Sequence, residues 1–176
     1  VDGYVCGSAH DDMVIHPICN RESYFDSFTW ASGDAEKTRI YRLPVFPGYN
    51  TYYTDGLDTH VQPTALAFCA NPFRYWRGDI TFRLDFEKSQ YHRGKAGIWY
   101  EPNMNQIAII EADLSLNKNF IQVVDLATTD SIEFTVEWAS AYPWLRTQGF
   151  DYQKSFSEFS ALTDWHEIAN GCIIIA

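Results

Sequence analysis

The alternation of side chains in Trp76–Glu87 constrains the fold of this chain more than any other feature. Even positions give Trp76, Gly78, Ile80, Phe82, Leu84 and Phe86; odd positions give Arg77, Asp79, Thr81, Arg83, Asp85 and Glu87. Successive side chains of a strand point to opposite faces, so this run carries one apolar and one polar face. A strand of that length with one wet face belongs to an antiparallel sheet. Ser131–Trp138 repeats the pattern, with Ile132, Phe134, Val136 and Trp138 on one face and Ser131, Glu133, Thr135 and Glu137 on the other. Weaker patterns predict strands at Tyr24–Trp30, Thr38–Val45 and Lys95–Tyr100. Phe120–Leu126 is apolar on both faces, as expected of a more central strand, and Gly171–Ala176 reads as the first half of a buried strand.

Turn chemistry separates these runs. Ser32-Gly33-Asp34, Pro44 with Pro47-Gly48, His92-Arg93-Gly94 and Glu101-Pro102-Asn103 each interrupt the strand pattern. One helix is predicted, with Pro63 at a first helical position, Ala65-Leu66-Ala67-Phe68 as its body and Asn71-Pro72 as its stop. Phe156, Phe159, Leu162, Trp165 and Ile168 step strictly by three. A 3.6-residue helix drifts by about 60° at each such step, so these five cannot share one stripe. That segment reads as a loop with a short helical turn packed by aromatics. No repeat or linker divides the chain, and the expectation is a single antiparallel β-sandwich domain over 1–176, compatible with a jelly roll.

Composition narrows the function classes. Charged residues are 20% and aromatic residues 16%, which places the chain among folded, strand-rich domains and not among disordered ones. Lys plus Arg is 13 against 23 Asp plus Glu, a net charge of -10. Such a surface repels a nucleic-acid backbone, so any contact with a nucleic acid is expected to be local or made by basic arms outside this sequence. Cys6, Cys19, Cys69 and Cys172 form no C-x-x-C pair and no zinc-type spacing with histidine. They are expected as reduced, buried, small apolar residues. The sequence has no N-x-S/T sequon, no signal peptide and no apolar run of membrane-spanning length, so an intracellular origin and no membrane partner are expected. The chain starts at Val1 and stops in an apolar run, which a soluble domain rarely exposes; a fragment of a longer polypeptide is expected.

The stretch Phe73-Arg74-Tyr75-Trp76-Arg77-Gly78-Asp79-Ile80-Thr81-Phe82-Arg83-Leu84, followed by His92-Arg93-Gly94-Lys95 and Tyr100-Glu101-Pro102, resembles the major capsid proteins of picorna-like viruses. The groups it is most similar to are the dicistroviruses, iflaviruses and marnaviruses, where an aromatic-Trp-Arg-Gly strand runs into an H-x-G-[KR] turn and a strand ending near proline. Phe28-Thr29-Trp30 with Ser32-Gly33-Asp34, the Pro63–Phe73 segment, Ile121–Leu126 and Phe134–Trp144 are similar to other family elements in the same order, so the resemblance covers roughly Phe25 to Ala176. It implies an all-β, eight-stranded antiparallel jelly-roll β-sandwich of the viral capsid type, with the last strand beyond Ala176. It further implies a structural, non-enzymatic subunit of a small non-enveloped icosahedral positive-strand RNA virus. Such a subunit self-assembles with other copies of itself and with other major capsid subunits, touches genomic RNA weakly or through missing arms, and resides in the virion after assembly in the host cytoplasm. Some family members carry an Asp-Asp-Phe motif linked to maturation cleavage. The nearest match here, Asp11-Asp12-Met13, lacks the aromatic, so that activity is not carried over.

Several residues invite sharper readings. Arg77-Gly78-Asp79 spells an integrin-recognition tripeptide, but such recognition needs an exposed loop, and here the tripeptide falls inside the predicted long strand. Gly78 there reads as room for a close approach or a bulge. His92 is compatible with a pH switch at a subunit contact, and more simply with a turn histidine. His10 and His16 flank Asp11 and Asp12, and Asp55, Asp58 and His60 form a second polar cluster expected in a loop; neither has a metal motif's fixed spacing. Glu101 with Glu111, or Glu133 with Glu137, would be the carboxylate pairs of a glycosidase. Glu133 and Glu137 on one strand face stand about 13 Å apart by strand rise, too far for either hydrolytic geometry. No nucleophile–base pattern is present. No catalytic, cofactor or metal residue is therefore assigned. Trp76, Trp99, Trp138, Trp144 and Trp165 would serve a carbohydrate-binding jelly roll, the alternative reading, or core and subunit packing.

Overall fold

The computed structural model describes residues 14–31, 33–35, 38–56, 58–102, 120–147 and 165–176. Its elements in order are α1 (Ile15–Cys19), β1 (Tyr41–Pro44), β2 (Asn50–Asp55), β3 (Asp58–Pro63), α2 (Ala65–Ala70), β4 (Tyr75–Trp76), β5 (Ile80–Asp85), β6 (Lys95–Glu101), β7 (Phe120–Asp125), β8 (Ser131–Val136), β9 (Leu145–Arg146), a 3-10 turn (Trp165–Glu167) and β10 (Cys172–Ile175). The chain divides into two compact units: Val1–Asp26 with Pro47–Trp76 and Thr147–Leu162, and Ser27–Phe46 with Arg77–Arg146 and Thr163–Ala176.

The second unit holds the larger set of ladders. A four-stranded sheet runs in the order β1-β10-β6-β7, and β5 pairs with β8. All the pairings are antiparallel: Lys95 stands opposite Asp125, Ile80 opposite Val136, and Tyr41 opposite Ile175. These ladders are nested in the chain. β6 closes on β7, β5 closes on β8 around them, and β1 closes on β10 around both. A long hairpin folded over on itself produces this nesting, which is the winding of a jelly roll.

Burial follows the expected faces. In β5, Ile80 is buried and Phe82 and Leu84 are half-buried, while Thr81, Arg83 and Asp85 are exposed. β8 mirrors it with Ile132, Phe134 and Val136, and the Phe82 and Phe134 rings stack with centroids 5.7 Å apart. On the polar face the Thr81 and Thr135 hydroxyls share a hydrogen bond of 2.9 Å, and the Arg83 Nε donates to Asp85 at 3.1 Å. β10 is buried along its whole length and lies between β1 and β6. The apolar end of the chain is thus not an exposed run: a strand with ladder partners on both sides buries Cys172, Ile173, Ile174 and Ile175 together.

In the first unit, β2 and β3 form a hairpin in which Asn50 stands opposite Pro63 and Asp55 opposite Asp58. Gly56 opens its turn at φ +62°, a left-handed conformation that glycine adopts without steric penalty. α2 follows directly. Its first free N–H groups are satisfied by two hydroxyls: Ala67 N–H donates to the Thr64 Oγ at 3.1 Å, and Ala65 N–H to the Ser23 Oγ at 2.9 Å.

Several expectations need correction. The long strand Trp76–Glu87 is broken: β4 ends at Trp76, Gly78 sits at φ +151°, and β5 starts only at Ile80. Side-chain-bearing residues rarely adopt that φ, so a period-two pattern survives across a break that ends the ladder. Tyr24–Trp30 carries no ladder in the described structure. Its aromatics pack instead, Phe25 on Tyr49 at 4.2 Å and Phe28 on Tyr41 at 4.8 Å between ring centroids. Among the described residues, Phe120–Leu126 supplies an edge strand and not a central one. Asp55, Asp58 and His60 lie on β2 and β3, not in a loop. Pro63 ends β3, and Thr64, not Pro63, starts the helix. The expected helical turn is present at Trp165–Glu167. Phe156, Phe159 and Leu162 lie outside the described residues, as do Ser32 and Asn103 of the predicted turns.

Candidate assembly surface

The surface of the second unit is positioned by one buried knot. Asn170 is 1% exposed, and every polar group it has is engaged. Its amide Nδ2 donates to Glu137 O at 2.9 Å, and its Oδ1 accepts from Ala139 N–H at 3.0 Å. Its own N–H donates to Val45 O at 2.7 Å, and its carbonyl accepts from the Tyr100 hydroxyl at 3.0 Å. One residue therefore ties the exit of β8, the exit of β1 and the end of β6. Burial, and then the neighbouring Glu101 carboxylate, push the Tyr100 phenol up to about 12, so it stays protonated and able to donate. Gly171 completes the knot at φ +83°. A Cβ there would lie 2.6 Å from the Tyr100 ring and 2.8 Å from Glu101 O. Asn170 was missed in the sequence and Gly171 was counted there as the first residue of a strand, although Asn-Gly ahead of an apolar run is a turn signal and the strand starts at Cys172.

The chain leaving β8 lies against the Arg77-Gly78-Asp79 tripeptide. Asp79 Oδ1 accepts from Trp138 N–H at 2.9 Å, and the Arg77 guanidinium sits 6.0 Å from the Trp138 ring centroid. The tripeptide is outside any strand, contrary to expectation, yet both charged side chains are held on one tryptophan instead of being presented on a mobile loop. Beyond it, Tyr142 and Trp144 are 54% and 59% exposed.

At one edge of the four-stranded sheet, β7 pairs with β6 on one side, and no ladder covers its other side among the described residues. Its inward residues Val124 and Leu126 are buried, at the level of the core. Phe120, Ile121 and Val123 are 80%, 44% and 59% exposed. An uncovered edge carrying three large apolar side chains is an aggregation hazard in an isolated domain, and natural proteins blunt such edges or cover them. The turn after β7 is cross-linked by a lysine that follows β5. The Lys88 ammonium enters it, donating to Leu126 O and to Thr129 O at 2.8 Å, and pairs with Asp130 at 3.1 Å.

The remaining sequence candidates do not converge on a chemical site. His92 closes its own turn, its Nδ1 accepting from Ser89 N–H at 3.1 Å. His60 stacks on Tyr53 at 6.2 Å between ring centroids. Glu133 stands opposite Arg83 in the ladder, and Glu101 is buried at the end of β6. Trp99 is buried, its ring folded over Gly97, where a Cβ would come within 2.1 Å of it. His16 is exposed near Asn20. Cys6, His10, Asp11, Asp12 and Glu111 lie outside the described residues. Among the described residues, no group of three or more His, Cys, Asp or Glu side chains is arranged to hold a metal, and no helix is long and apolar enough to cross a membrane.

Comparison with known proteins places this architecture. No family model matches the chain. It is 30% identical over 141 residues to the structural polyprotein of Cricket paralysis virus, covering 80% of this chain and 16% of the polyprotein. It superposes on the structure of a marine algae virus of the order Picornavirales with a TM-score of 0.82 at 25% identity, covering 99% of this chain and 67% of that one. The empty capsid of Triatoma virus matches with a TM-score of 0.76 at 22% identity, over 96% of this chain and 65% of that one. The segment thus spans about a sixth of the curated polyprotein and about two thirds of the solved chains. The nested antiparallel ladders and these matches together make the chain a homologue of picorna-like virus structural polyproteins with the all-β jelly-roll fold of Picornavirales capsids.

Proposed function

We propose that this segment is part of a structural, non-enzymatic capsid subunit of a small non-enveloped icosahedral positive-strand RNA virus. In this reading residues 1–176 belong to one jelly-roll domain of a longer chain. It assembles in the host cytoplasm with copies of itself and with other jelly-roll subunits, and it resides in the virion. The observation that carries the reading is the β7 edge: Phe120, Ile121 and Val123 stand exposed on a strand whose outer side has no ladder among the described residues. Burying such an edge against a neighbouring subunit removes apolar area from water and pairs free backbone groups at the same time. The net charge of -10 supports a shell in which this segment makes little direct contact with RNA.

The test is the size and content of the native material, by sedimentation and negative-stain imaging. Uniform spherical particles that contain this chain, similar-sized chains and RNA are expected. An RNA-free monomer or dimer would refute the reading. Val123→Lys places a charge on the exposed apolar edge without touching the core, and it is expected to abolish particles while leaving the chain folded by circular dichroism. A carbohydrate-binding role is the second reading, favoured by the exposed Tyr142 and Trp144, with the Tyr142 carbonyl accepting from the Trp138 indole. Glycan-array binding that is lost in Trp144→Ala would support it.

A further inference from the structure

We propose that Asn170-Gly171 is a self-modifying site that the fold holds in check: while the unit around it is open, the Gly171 nitrogen attacks the Asn170 side-chain amide and converts the residue to isoaspartate or aspartate, and closure of the unit stops the reaction. This goes beyond the assembly reading and does not depend on it.

The chemistry needs no partner but water. The Gly171 backbone nitrogen forms a bond to the Asn170 Cγ and gives up its proton. The Cγ–Nδ2 bond breaks, and ammonia leaves with that proton, closing a succinimide ring. Water then opens the ring. Hydrolysis of the new N–Cγ bond leaves aspartate. Hydrolysis of the original peptide bond leaves isoaspartate, whose backbone runs through Cβ and Cγ. Nothing is oxidised or reduced. The attack requires the asparagine side chain to swing over the following nitrogen, and a glycine there resists least, because it has no Cβ and a free backbone. Asn-Gly occurs once in this sequence.

The geometry explains both why this pair stands here and why it is quiet in the closed unit. A Cβ on Gly171, which sits at φ +83°, would lie 2.6 Å from the Tyr100 ring and 2.8 Å from Glu101 O, so the knot requires glycine. The Asn170 side chain donates to Glu137 O at 2.9 Å and accepts from Ala139 N–H at 3.0 Å, a pair of roles that an amide fills and a carboxylate does not. The labile pair is therefore the one the closed unit demands. Once formed, the same contacts suppress the attack. Swinging Cγ toward the Gly171 nitrogen breaks both side-chain hydrogen bonds at a site 1% exposed, where the freed groups find no water and the ring would find none to open it. Reaction waits for opening of the unit.

The products do not rebuild the knot. Val45 N–H donates to Gly171 O at 2.9 Å, and Asn170 N–H donates to Val45 O at 2.7 Å. This exchange leads into the ladder in which Pro44 stands opposite Cys172. Isoaspartate inserts an extra backbone carbon between the two groups that Val45 engages, so that exchange and the β1–β10 register cannot both hold. Aspartate keeps the backbone but turns the donor facing Glu137 O into an acceptor. A chain left open too long is thus marked irreversibly and no longer closes as the unmodified chain does.

The experiment compares the native protein as isolated with the same chain unfolded in guanidinium chloride, at one temperature and one mildly alkaline pH. Samples are digested over time. Mass spectrometry of the peptide containing Asn170 reads the exchange of an amide for a carboxyl, and isoaspartyl methyltransferase separates isoaspartate from aspartate. Asn71-Pro72 is the negative control in the same digest, because the proline nitrogen has no proton to give up. Conversion of Asn170 is expected to be at least about a hundredfold slower in the native protein, since opening a buried core segment approaches global unfolding. At intermediate denaturant the rate is expected to follow the unfolded fraction read by tryptophan fluorescence. When partly converted chains are returned to buffer, the folded fraction is expected to hold Asn170 and to be depleted of isoaspartate. A native rate less than about tenfold below the unfolded one, a rate that ignores the unfolded fraction, or isoaspartate carried equally into the folded fraction would overturn the proposal. The rate comparison uses only the wild-type chain, so its outcome does not depend on a variant folding.

Discussion

Replacing Asn170 by Asp changes one nitrogen to oxygen and almost no volume, so it isolates the electrostatics of the knot. The Oδ1 that accepts from Ala139 N–H survives the change. The group that donated to Glu137 O at 2.9 Å becomes an acceptor facing an acceptor. At a site 1% exposed, an ionised carboxylate is also poorly solvated. Both effects favour the protonated acid, which can still donate to Glu137 O, so the folded-state pKa of the new Asp must rise above its unfolded value. A carboxyl with a raised folded pKa leaves stability intact below its unfolded value of about 3.9 and loses it as pH climbs toward the folded value. If the acid stays protonated in the fold at pH 7, the penalty spans about three pH units at about 1.36 kcal/mol each, a ceiling of about 4 kcal/mol. The assay is urea denaturation followed by tryptophan fluorescence, run on wild type and Asn170→Asp at matched pH values. The stability gap between the two is expected to reach several kcal/mol at pH 7 and to shrink below about 1 kcal/mol near pH 4, where the acid regains a donor. A gap that does not change with pH, or none at pH 7, would show that the amide does not donate into a dry site and would refute the reasoning.

Gly171→Ala adds a Cβ at φ +83° within 2.6 Å of the Tyr100 ring, so it is expected to lower stability by more than about 3 kcal/mol, visible as a large drop in Tm or as insoluble protein. Lys88→Met keeps the stem but removes the ammonium from the carbonyls of Leu126 and Thr129; a loss of about 2 kcal/mol in urea denaturation is expected, and no change would mean the turn does not depend on it. Tyr100→Phe removes one hydrogen bond to Asn170 O and is expected to cost about 1 kcal/mol at pH 7. Because the Tyr100 phenol is raised to about 12, its contribution is complete below its ordinary value near 10 and disappears as pH rises through 12. The alkaline loss of stability is therefore expected to be smaller in Tyr100→Phe than in wild type, checked by circular dichroism between pH 9 and 12.

Side-chain periodicity determined the antiparallel β character here, whereas the jelly-roll class was implied only by the family resemblance. Ile80, Phe82 and Leu84 against Thr81, Arg83 and Asp85, and the matching alternation in Ser131–Val136, leave no helical alternative, and both runs bury the face their sequence assigns. The Asn71 stop of α2 and the burial of Cys172–Ile175 were legible from local sequence, whereas the start of α2 was placed too early, at Pro63. Neighbours were not legible. An apolar run on both faces looks the same in a central strand as in an edge strand with an uncovered face, so β10 and β7 could not be told apart by pattern, although among the described residues one lies between two ladders and the other at a sheet edge. The pairings that decide this join residues as far apart as Tyr41 and Ile175, and nothing in a local window encodes them. At Gly78 the sequence suggested only a close approach or a bulge, because glycine leaves the period-two count intact while its φ ends the ladder. The role of Asn170 belongs wholly to tertiary structure: an asparagine before glycine promises a turn, and only the convergence of Val45, Tyr100, Glu137 and Ala139 around it makes that turn the joint on which the unit closes.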